Sequence, residues 1–229
     1  MHLDPWSAIR ISALVGILTS VIGFPIAVSV GWLLARKQFV GKSLVGALVL
    51  APLVMPPIVL GLGLLRVFGH RSWLGEALAT VGISIPFGFE GVVLASLLVG
   101  MPLYVLASRD AFVATDLRYE ELARTFGQRP WKAFWSTSFP LAVPGIACGA
   151  LLAFARALGE FGATAVIAGN IEGKTRTISL AVYSLLDSPG NSETMYVLVG
   201  ASLGIGLTTI VAYEMLAHWQ RRRLGLHHG

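Results

Sequence analysis

Long apolar stretches separated by short polar ones run through nearly the whole chain. Five of them are long enough to cross a bilayer, since a transmembrane helix needs about 20 mostly apolar residues. The fourth stretch contains one arginine and one glutamate, and the other four contain no charged residue. The stretches are 11–35, 43–65, 91–108, 138–168 and 194–213. They predict an all-α integral membrane protein with about five transmembrane helices.

Composition supports the same interpretation. Of the 229 residues, 55% are hydrophobic and 13% are charged, which is too apolar for an ordinary soluble domain. We therefore interpret residues 1–229 as a single transmembrane domain with its core at about 9–218, surrounded by the lipid bilayer. The first stretch is too long for the apolar core of a cleaved signal peptide, so we expect it to remain as a helix.

The basic residues are distributed unequally between the polar segments. If the five stretches alternate in direction, eleven lysines and arginines lie on one side of the membrane and five on the other, with Arg156 inside a stretch. The positive-inside rule then places the C-terminus in the cytoplasm and the N-terminus outside. This distribution accounts for the net charge of +5, so we do not expect nucleic acid as a partner.

The second stretch contains Pro52, Pro56 and Pro57, which interrupt the backbone hydrogen bonds of a helix. In hydrocarbon such a helix is stable only where it packs against protein or lines a wet cavity. Pro56 and Pro57 are therefore candidates for a solute pathway or its gate. A kinked helix that serves only packing is the alternative.

The fourth stretch contains Arg156 and Glu160, which are four residues apart and fall on one face of a helix. Ionisable groups inside a membrane are costly and normally face the interior of a bundle or water. Two interpretations stay open at this point. The residues form a structural ion pair, or they belong to a solute pathway or gate.

A polar segment at 109–137 separates the third and fourth stretches. Its first half has helical periodicity, and Gly127 is suited to end that helix in the left-handed conformation. Pro130 then suits the first turn of a second, aromatic helix. The apolar positions of the first helix are Tyr119, Leu122, Ala123 and Phe126, and its other faces carry Arg118, Glu120, Glu121 and Arg124.

Motifs of common enzymes are missing from the sequence. Gly41-Lys42-Ser43 and Gly173-Lys174-Thr175 both lack the earlier glycine of a Walker phosphate-binding loop. There is also no HExxH zinc helix and no GxSxG nucleophile motif. We therefore expect no catalytic residues, no metal site and no bound cofactor in this chain.

The polar segment resembles the EAA loop of bacterial ABC importer permeases. Their pattern is Glu-Ala-Ala-xxx-Gly, nine residues, then Ile-x-Leu-Pro. Here Glu121, Ala123, Gly127 and Pro140 match it with the same spacing, whereas Leu122, Thr137 and Phe139 replace the family's residues. Three further segments, 51–57, 153–164 and 169–177, resemble the permease subunits of molybdate importers. Sulfate and tungstate permeases are close relatives of these and are the alternatives.

The resemblance implies a type-1 ABC importer permease in a bacterial inner membrane. Such a subunit forms a homodimer, docks on cytoplasmic ATP-binding subunits that hold ATP and magnesium, and receives an oxyanion, here with molybdate favoured, from an external binding protein. The implied ATPase-coupling residues are Tyr119, Glu120, Glu121, Leu122, Ala123, Arg124, Phe126 and Gly127.

An ATP-independent secondary carrier is a competing hypothesis of another class. It would predict more acidic residues inside the spans or an internal inverted repeat, and neither is evident. A membrane scaffold without transport is a third hypothesis. It would leave the proline-rich stretch and the pair of Arg156 with Glu160 unexplained.

Overall fold

The computed structural model describes residues 4–186 and 192–223, with side chains as far as Trp219. All the regular secondary structure in this part of the chain is helical. The helices are α1 (Pro5–Arg36), α2 (Lys42–Val54), α3 (Pro57–Phe68), α4 (Trp73–Thr80), α5 (Phe89–Ala114), α6 (Arg118–Thr125), α7 (Pro130–Ala133), the π segment (Phe134–Ser138), α8 (Phe139–Leu158), α9 (Gly162–Ile167), α10 (Ile178–Leu186) and α11 (Ser192–Arg223).

Four helical units within the described residues are long and apolar enough to cross a membrane. They are Pro5–Arg36, Phe89–Ala114, Pro130–Leu158 and Ser192–Trp219. The pair α2 and α3 makes a fifth candidate if it is counted as one span, although it bends by 113° at its break. The prediction of an all-α protein with about five transmembrane helices is confirmed.

The break between α2 and α3 follows from the sequence Met55-Pro56-Pro57. Met55 ends α2 in an extended conformation (φ −73°, ψ 141°), and Pro56 is extended as well (φ −58°, ψ 130°). A residue that precedes proline is disfavoured in the helical region, and each proline lacks the N–H that would continue a helix. Pro57 can still begin α3, because the first turn of a helix needs no donor there.

Polar contacts join helix ends that are far apart in sequence and define the two ends of the bundle. At one end, Arg36 Nη2 donates to the carbonyl of Thr115 (2.9 Å), which brings the C-termini of α1 and α5 together beside α6. At the other end, the N–H of Asp4 donates to Glu172 Oε1 (3.2 Å). We call these the α6 end and the Glu172 end. Spans that alternate in direction require this arrangement, because the first and third spans then end on one side of the membrane and the N-terminus lies on the other side with the segment after the fourth span.

Small residues let the central helices approach closely. A β-carbon on Gly31 of α1 would lie only 2.8 Å from Ser108 Cβ and 2.9 Å from the backbone nitrogen of Arg109 on α5. A β-carbon on Gly149 of α8 would lie 2.9 Å from the ring of Tyr104. Helices α1, α5 and α8 therefore form the packed centre. Lipid is as apolar as the helices, so close packing and not the hydrophobic effect must hold them together.

Two details differ from the sequence-based expectations. The fourth stretch does not continue as one helix to residue 168, because α8 ends at Leu158 and α9 begins at Gly162. The polar segment between the fourth and fifth stretches, for which the sequence analysis predicts no helix, contains α10, whose first N–H (Ile178) donates to Ser12 Oγ of α1 (2.8 Å). The apolar pattern identified the fourth stretch, but tertiary contacts determine where α8 ends and how α10 packs against α1.

We predict that Gly31→Ala destabilises the protein, because the new methyl group collides with the backbone of α5. Overpacking of this kind costs about 1–3 kcal/mol, which should appear as a lower midpoint of thermal unfolding in detergent. The matched control is Gly46→Ala, where a β-carbon meets no described atom within 4 Å. Equal midpoints for the two variants would contradict a close α1–α5 contact.

Candidate functional site

The predicted functional residues fall into two regions at opposite ends of α8. The first is the α6 end, where α6, α7 and the π segment precede α8. The second is the break between α8 and α9, which packs against the break between α2 and α3. Eighteen residues of helix separate Ser138 from Arg156, or about 27 Å at 1.5 Å per residue.

Helix α6 ends in the way that the sequence predicts. Gly127 has a positive φ of 81°, a conformation that favours glycine because a β-carbon would crowd the backbone. Its N–H donates to the carbonyl of Arg124 (2.9 Å), and the N–H of Gln128 donates to that of Ala123 (3.2 Å). These bonds satisfy the last carbonyls of α6 and turn the chain toward α7.

The orientation of α6 differs from the one that its amphipathic pattern indicates. Glu120 and Ala123 face inward and are buried. Tyr119, Leu122 and Phe126 are 53%, 56% and 80% exposed, so the larger apolar side chains point away from the bundle. Glu121, Arg124 and Gly127 are also at the surface. An eight-residue helix with an exposed aromatic and aliphatic face is a surface suited to another protein.

Glu120 holds α6 to the chain that follows it. Ser138 Oγ, which is fully buried at the start of α8, donates a hydrogen bond to Glu120 Oε1. Arg124 Nη2 lies 3.8 Å from Glu120 Oε2, one turn along the same helix. The carboxylate therefore has partners on both sides, which a buried charge requires. Sequence reasoning placed Glu120 among the ATPase-coupling residues and did not single out Ser138.

The π segment is a feature that the sequence did not predict. Its turns each contain one more residue than those of an α-helix, and it joins α7 to α8 as one continuous helical unit. Such π segments often occur at functional sites. Its first residue, Phe134, is the centre of an aromatic cluster, with its ring centroid 5.3 Å from that of Trp135 and 6.0 Å from those of Phe112 and Trp32. The aromatic composition signalled a packed region here, but the π geometry depends on this cluster.

The two backbone breaks meet within the bundle. A β-carbon on Gly162, the first residue of α9, would lie 3.1 Å from Pro57 Cβ and 3.2 Å from the backbone nitrogen of Ile58. A β-carbon on Gly61 of α3 would lie 2.7 Å from the carbonyl oxygen of Ala163. Pro57 is therefore in direct contact with the chain that follows Glu160, and the structure brings the predicted pathway residues into one region.

Glu160 lies in the break itself, just beyond the end of α8. Its side chain is only 1% exposed, and Oε2 lies 2.9 Å from Arg156 Nη1. The other oxygen, Oε1, accepts the N–H of Ala163 in the first turn of α9 (2.8 Å). Glu160 thus neutralises Arg156 and caps α9 at the same time. The Arg156 side chain is 28% exposed, so its guanidinium keeps a route to solvent or solute.

Comparison with known proteins assigns this architecture to a family. Residues 23–222 match the family model of the binding-protein-dependent transport system inner membrane component. The chain therefore belongs to this family of multi-pass membrane permeases. Two molybdenum transport system permease proteins named ModB are similar over almost their whole length. That of Haemophilus influenzae is 39% identical over 220 residues, covering 96% of each chain. That of Escherichia coli K12 is 40% identical over 224 residues, covering 97% of this chain and 98% of its own.

Other relatives define the fold and the breadth of the family. The sulfate transport system permease protein CysW of Synechococcus elongatus is 34% identical and covers 96% of this chain and 77% of its own. The inward-facing MetNI methionine ABC transporter has a chain with a TM-score of 0.59, at 17% identity and 97% and 93% coverage. An amino acid ABC transporter gives a TM-score of 0.63, at 17% identity and 97% and 100% coverage. The fold is that of a type-1 ABC importer permease.

We predict that Arg156→Gln is more destabilising than the double change Arg156→Gln with Glu160→Gln. The single variant leaves a buried carboxylate without its counter-charge, which costs about 3–5 kcal/mol, whereas the double variant removes both charges. Thermal unfolding in detergent measures the difference, with each single variant completing the double-mutant cycle. If the destabilisation of the double variant equals the sum of the destabilisations of the two single variants, the two charges are not coupled.

Proposed function

We propose that this chain is the membrane-spanning subunit of an ATP-driven importer that carries molybdate into the cytoplasm. The observation that carries the transport role is the exposed apolar face of α6, in a chain whose family supplies membrane components of binding-protein-dependent transport. Molybdate is favoured over sulfate because identity to the two ModB proteins is 39% and 40%, against 34% to CysW. Tungstate and sulfate are the alternative substrates.

The α6 face is the proposed docking surface for an ATP-binding subunit. Tyr119, Leu122 and Phe126 supply the apolar contact, and Arg124 and Glu121 supply polar contacts at its rim. Leu122 stands where the family pattern has alanine, so the partner must offer room for a larger side chain. ATP and magnesium belong to that partner, and this chain contributes no catalytic residue to ATP hydrolysis.

The remaining partners complete the transporter. A second copy of the chain provides the other half of the pathway, and an external binding protein delivers the oxyanion. The excess of basic residues at the α6 end supports a cytoplasmic location for that end, with the N-terminus and the Glu172 end outside. The exposed apolar faces of α1 and α11 suit lipid or the second copy.

Helix α8 is the proposed mechanical link between docking and transport. The Ser138–Glu120 hydrogen bond ties α6 to the start of α8, and Arg156 lies at the last turn of the same helix. Movement of α6 during ATP-driven closure of the partner would therefore be transmitted about 27 Å to the paired breaks. The extended Pro56 and the non-helical residues of the α8–α9 turn are positions where such movement can be absorbed.

The paired breaks are the proposed pathway or gate, with Pro56, Pro57, Arg156 and Glu160 beside it. An oxyanion in transit needs weak stabilisation, because tight binding would prevent its release. Arg156 is neutralised by Glu160 and is suited to transient contact only. Uptake of radiolabelled molybdate by the double variant Arg156→Gln with Glu160→Gln decides this role, and uptake at the wild-type rate would remove both residues from the pathway.

We predict that Phe126→Ala weakens binding of the ATP-binding subunit. Truncation of a buried aromatic anchor at an interface typically costs about 2 kcal/mol, which corresponds to roughly 30-fold in the dissociation constant. The measurement is titration of labelled ATP-binding subunit against the permease in nanodiscs. Trp73→Ala is the matched control, because Trp73 is also 80% exposed but lies on α4. A similar loss in both variants would argue against docking at α6.

We predict that the binding protein loaded with molybdate stimulates ATP hydrolysis by the reconstituted complex. Tungstate should behave similarly because it has the same charge and shape, whereas sulfate should stimulate poorly. The measurement is phosphate release in liposomes, with the unloaded binding protein as control. Stimulation by sulfate alone would make the chain a sulfate permease, and uptake without any ATP-binding subunit would favour a secondary carrier.

A further inference from the structure

A groove of about 690 Å³ lies between the C-terminal half of α1 and the segment that contains α6, α7 and the π segment. The α1 wall begins at Phe24 and ends at Lys37. The facing wall is aromatic and includes Trp131, Trp135 and Phe139, whose rings contact one another (Trp135 to Trp131 5.4 Å, Trp135 to Phe139 4.5 Å between centroids). Of its lining residues, the functions proposed above use only Glu120 and Arg124, and they do not use the groove itself.

The length of the groove matches one leaflet of a bilayer. Lys37 follows the last residue of α1 and is thirteen residues from Phe24, which is about 20 Å along the helix. The hydrocarbon of one leaflet is about 15 Å deep, half of the roughly 30 Å core, and the headgroup layer adds several ångströms. Phe24 is also near the middle of the charge-free stretch 11–35. The groove therefore extends from about the bilayer midplane to the membrane surface.

The chemistry of the groove changes along this length. Its deep part is apolar, with Phe24, Pro25 and Val28 of α1 in the wall. Its surface end carries two basic side chains, Lys37 and Arg124. Lys37 is exposed, with Nζ 5.6 Å from the centre of the Trp32 ring, and Arg124 is half exposed.

The one acidic residue among those that line the groove does not cancel this positive end. Glu120 is buried and accepts the hydrogen bond from Ser138, with Arg124 also close to it at 3.8 Å. The exposed charge at the mouth is therefore that of Lys37 together with part of Arg124. Tryptophan at the membrane surface adds a wall that commonly contacts lipid headgroups.

We propose that this groove binds one anionic phospholipid, with an acyl chain along α1 and the headgroup phosphate at Lys37 and Arg124. An apolar channel that ends in two cations at the membrane surface is complementary to such a lipid in length and in charge. A zwitterionic lipid offers the same acyl chain but no net charge, so it binds less tightly.

The lipid would also stabilise the docking region, because α7 and the π segment form one wall of its site. The ATPase activity of the assembled transporter should then rise when anionic lipid is present. This consequence rests on the proposed function, whereas lipid binding itself does not. Binding and ATPase activity are therefore measured separately.

The first test counts lipids that remain bound to the assembled transporter by native mass spectrometry, with phosphatidylglycerol and phosphatidylcholine as probes. We expect preferential retention of phosphatidylglycerol, and about fivefold weaker retention in Lys37→Gln, the equivalent of about 1 kcal/mol for one basic side chain near an anionic lipid. Lys37→Arg should retain the lipid. Lys42→Gln is the matched control, since Lys42 begins α2 and is absent from the residues that line the groove.

The second test identifies what occupies the groove. Ser29 is exposed on the groove-lining face of α1, so a photoreactive amino acid in its place reports directly on the occupant. A cross-link to phosphatidylglycerol supports the proposal. The same substitution at Val21, which is exposed but outside the groove, should give no preference for anionic lipid.

Three results would overturn the proposal. They are equal retention of the two lipids by the wild-type protein, equal losses in Lys37→Gln and Lys42→Gln, and cross-links from Ser29 to the ATP-binding subunit or to a second copy of the chain. If Lys37→Gln loses lipid binding as expected but ATPase activity does not respond to anionic lipid, the lipid site is supported and its effect on docking is contradicted.

Discussion

The interaction on which this structure depends most is the packing of one broken helix against another. A backbone break inside a membrane leaves N–H and C=O groups without partners, and hydrocarbon cannot satisfy them. The α2–α3 break and the α8–α9 break solve this by meeting at Pro57 and Gly162, while the Glu160 carboxylate accepts the Ala163 N–H. Neither break would be stable if it faced lipid alone.

This packing connects architecture to transport. Irregular backbone at membrane depth is tolerated where it is buried in protein or lines a wet cavity, so the same contact that stabilises the breaks also marks the region where a solute could pass. The buried charge of Glu160 fits this arrangement, because its two oxygens have two different partners. Helix α8 then joins the region to the surface helix α6 through a continuous, rigid element.

The α6 end shows the opposite use of apolar residues. Helices in the centre of the bundle hide their apolar faces against each other, but α6 exposes Phe126 and Leu122 and buries Glu120. The inversion is possible because Ser138 supplies a hydrogen bond to the buried carboxylate. The proposed docking surface thus requires a buried charge inside the chain, and the hydrogen bond from Ser138 to that charge ties α6 to α8.

The sequence by itself determined a large part of this protein. Charge-free stretches located the spans, because only apolar helices of sufficient length cross a bilayer. The spacing of Glu121, Ala123 and Gly127 located the surface helix and its end, and Gly127 has the predicted left-handed conformation. Pro56 and Pro57 located the first break, since proline acts on its own backbone and on the residue before it. These effects depend only on residues that are close together in the chain, so they can be predicted from the sequence.

Only the tertiary structure decided which face of α6 is buried, where α8 ends, and that the two breaks meet. Periodicity cannot distinguish a face that packs inward from one kept for a partner, because both are apolar. The pattern also placed Arg156 and Glu160 on one continuous helix, whereas Glu160 lies past its end and caps α9. The π segment and the hydrogen bond from Ser138 to Glu120 likewise depend on residues that are distant in the chain. Such residues come into contact only when the helices pack.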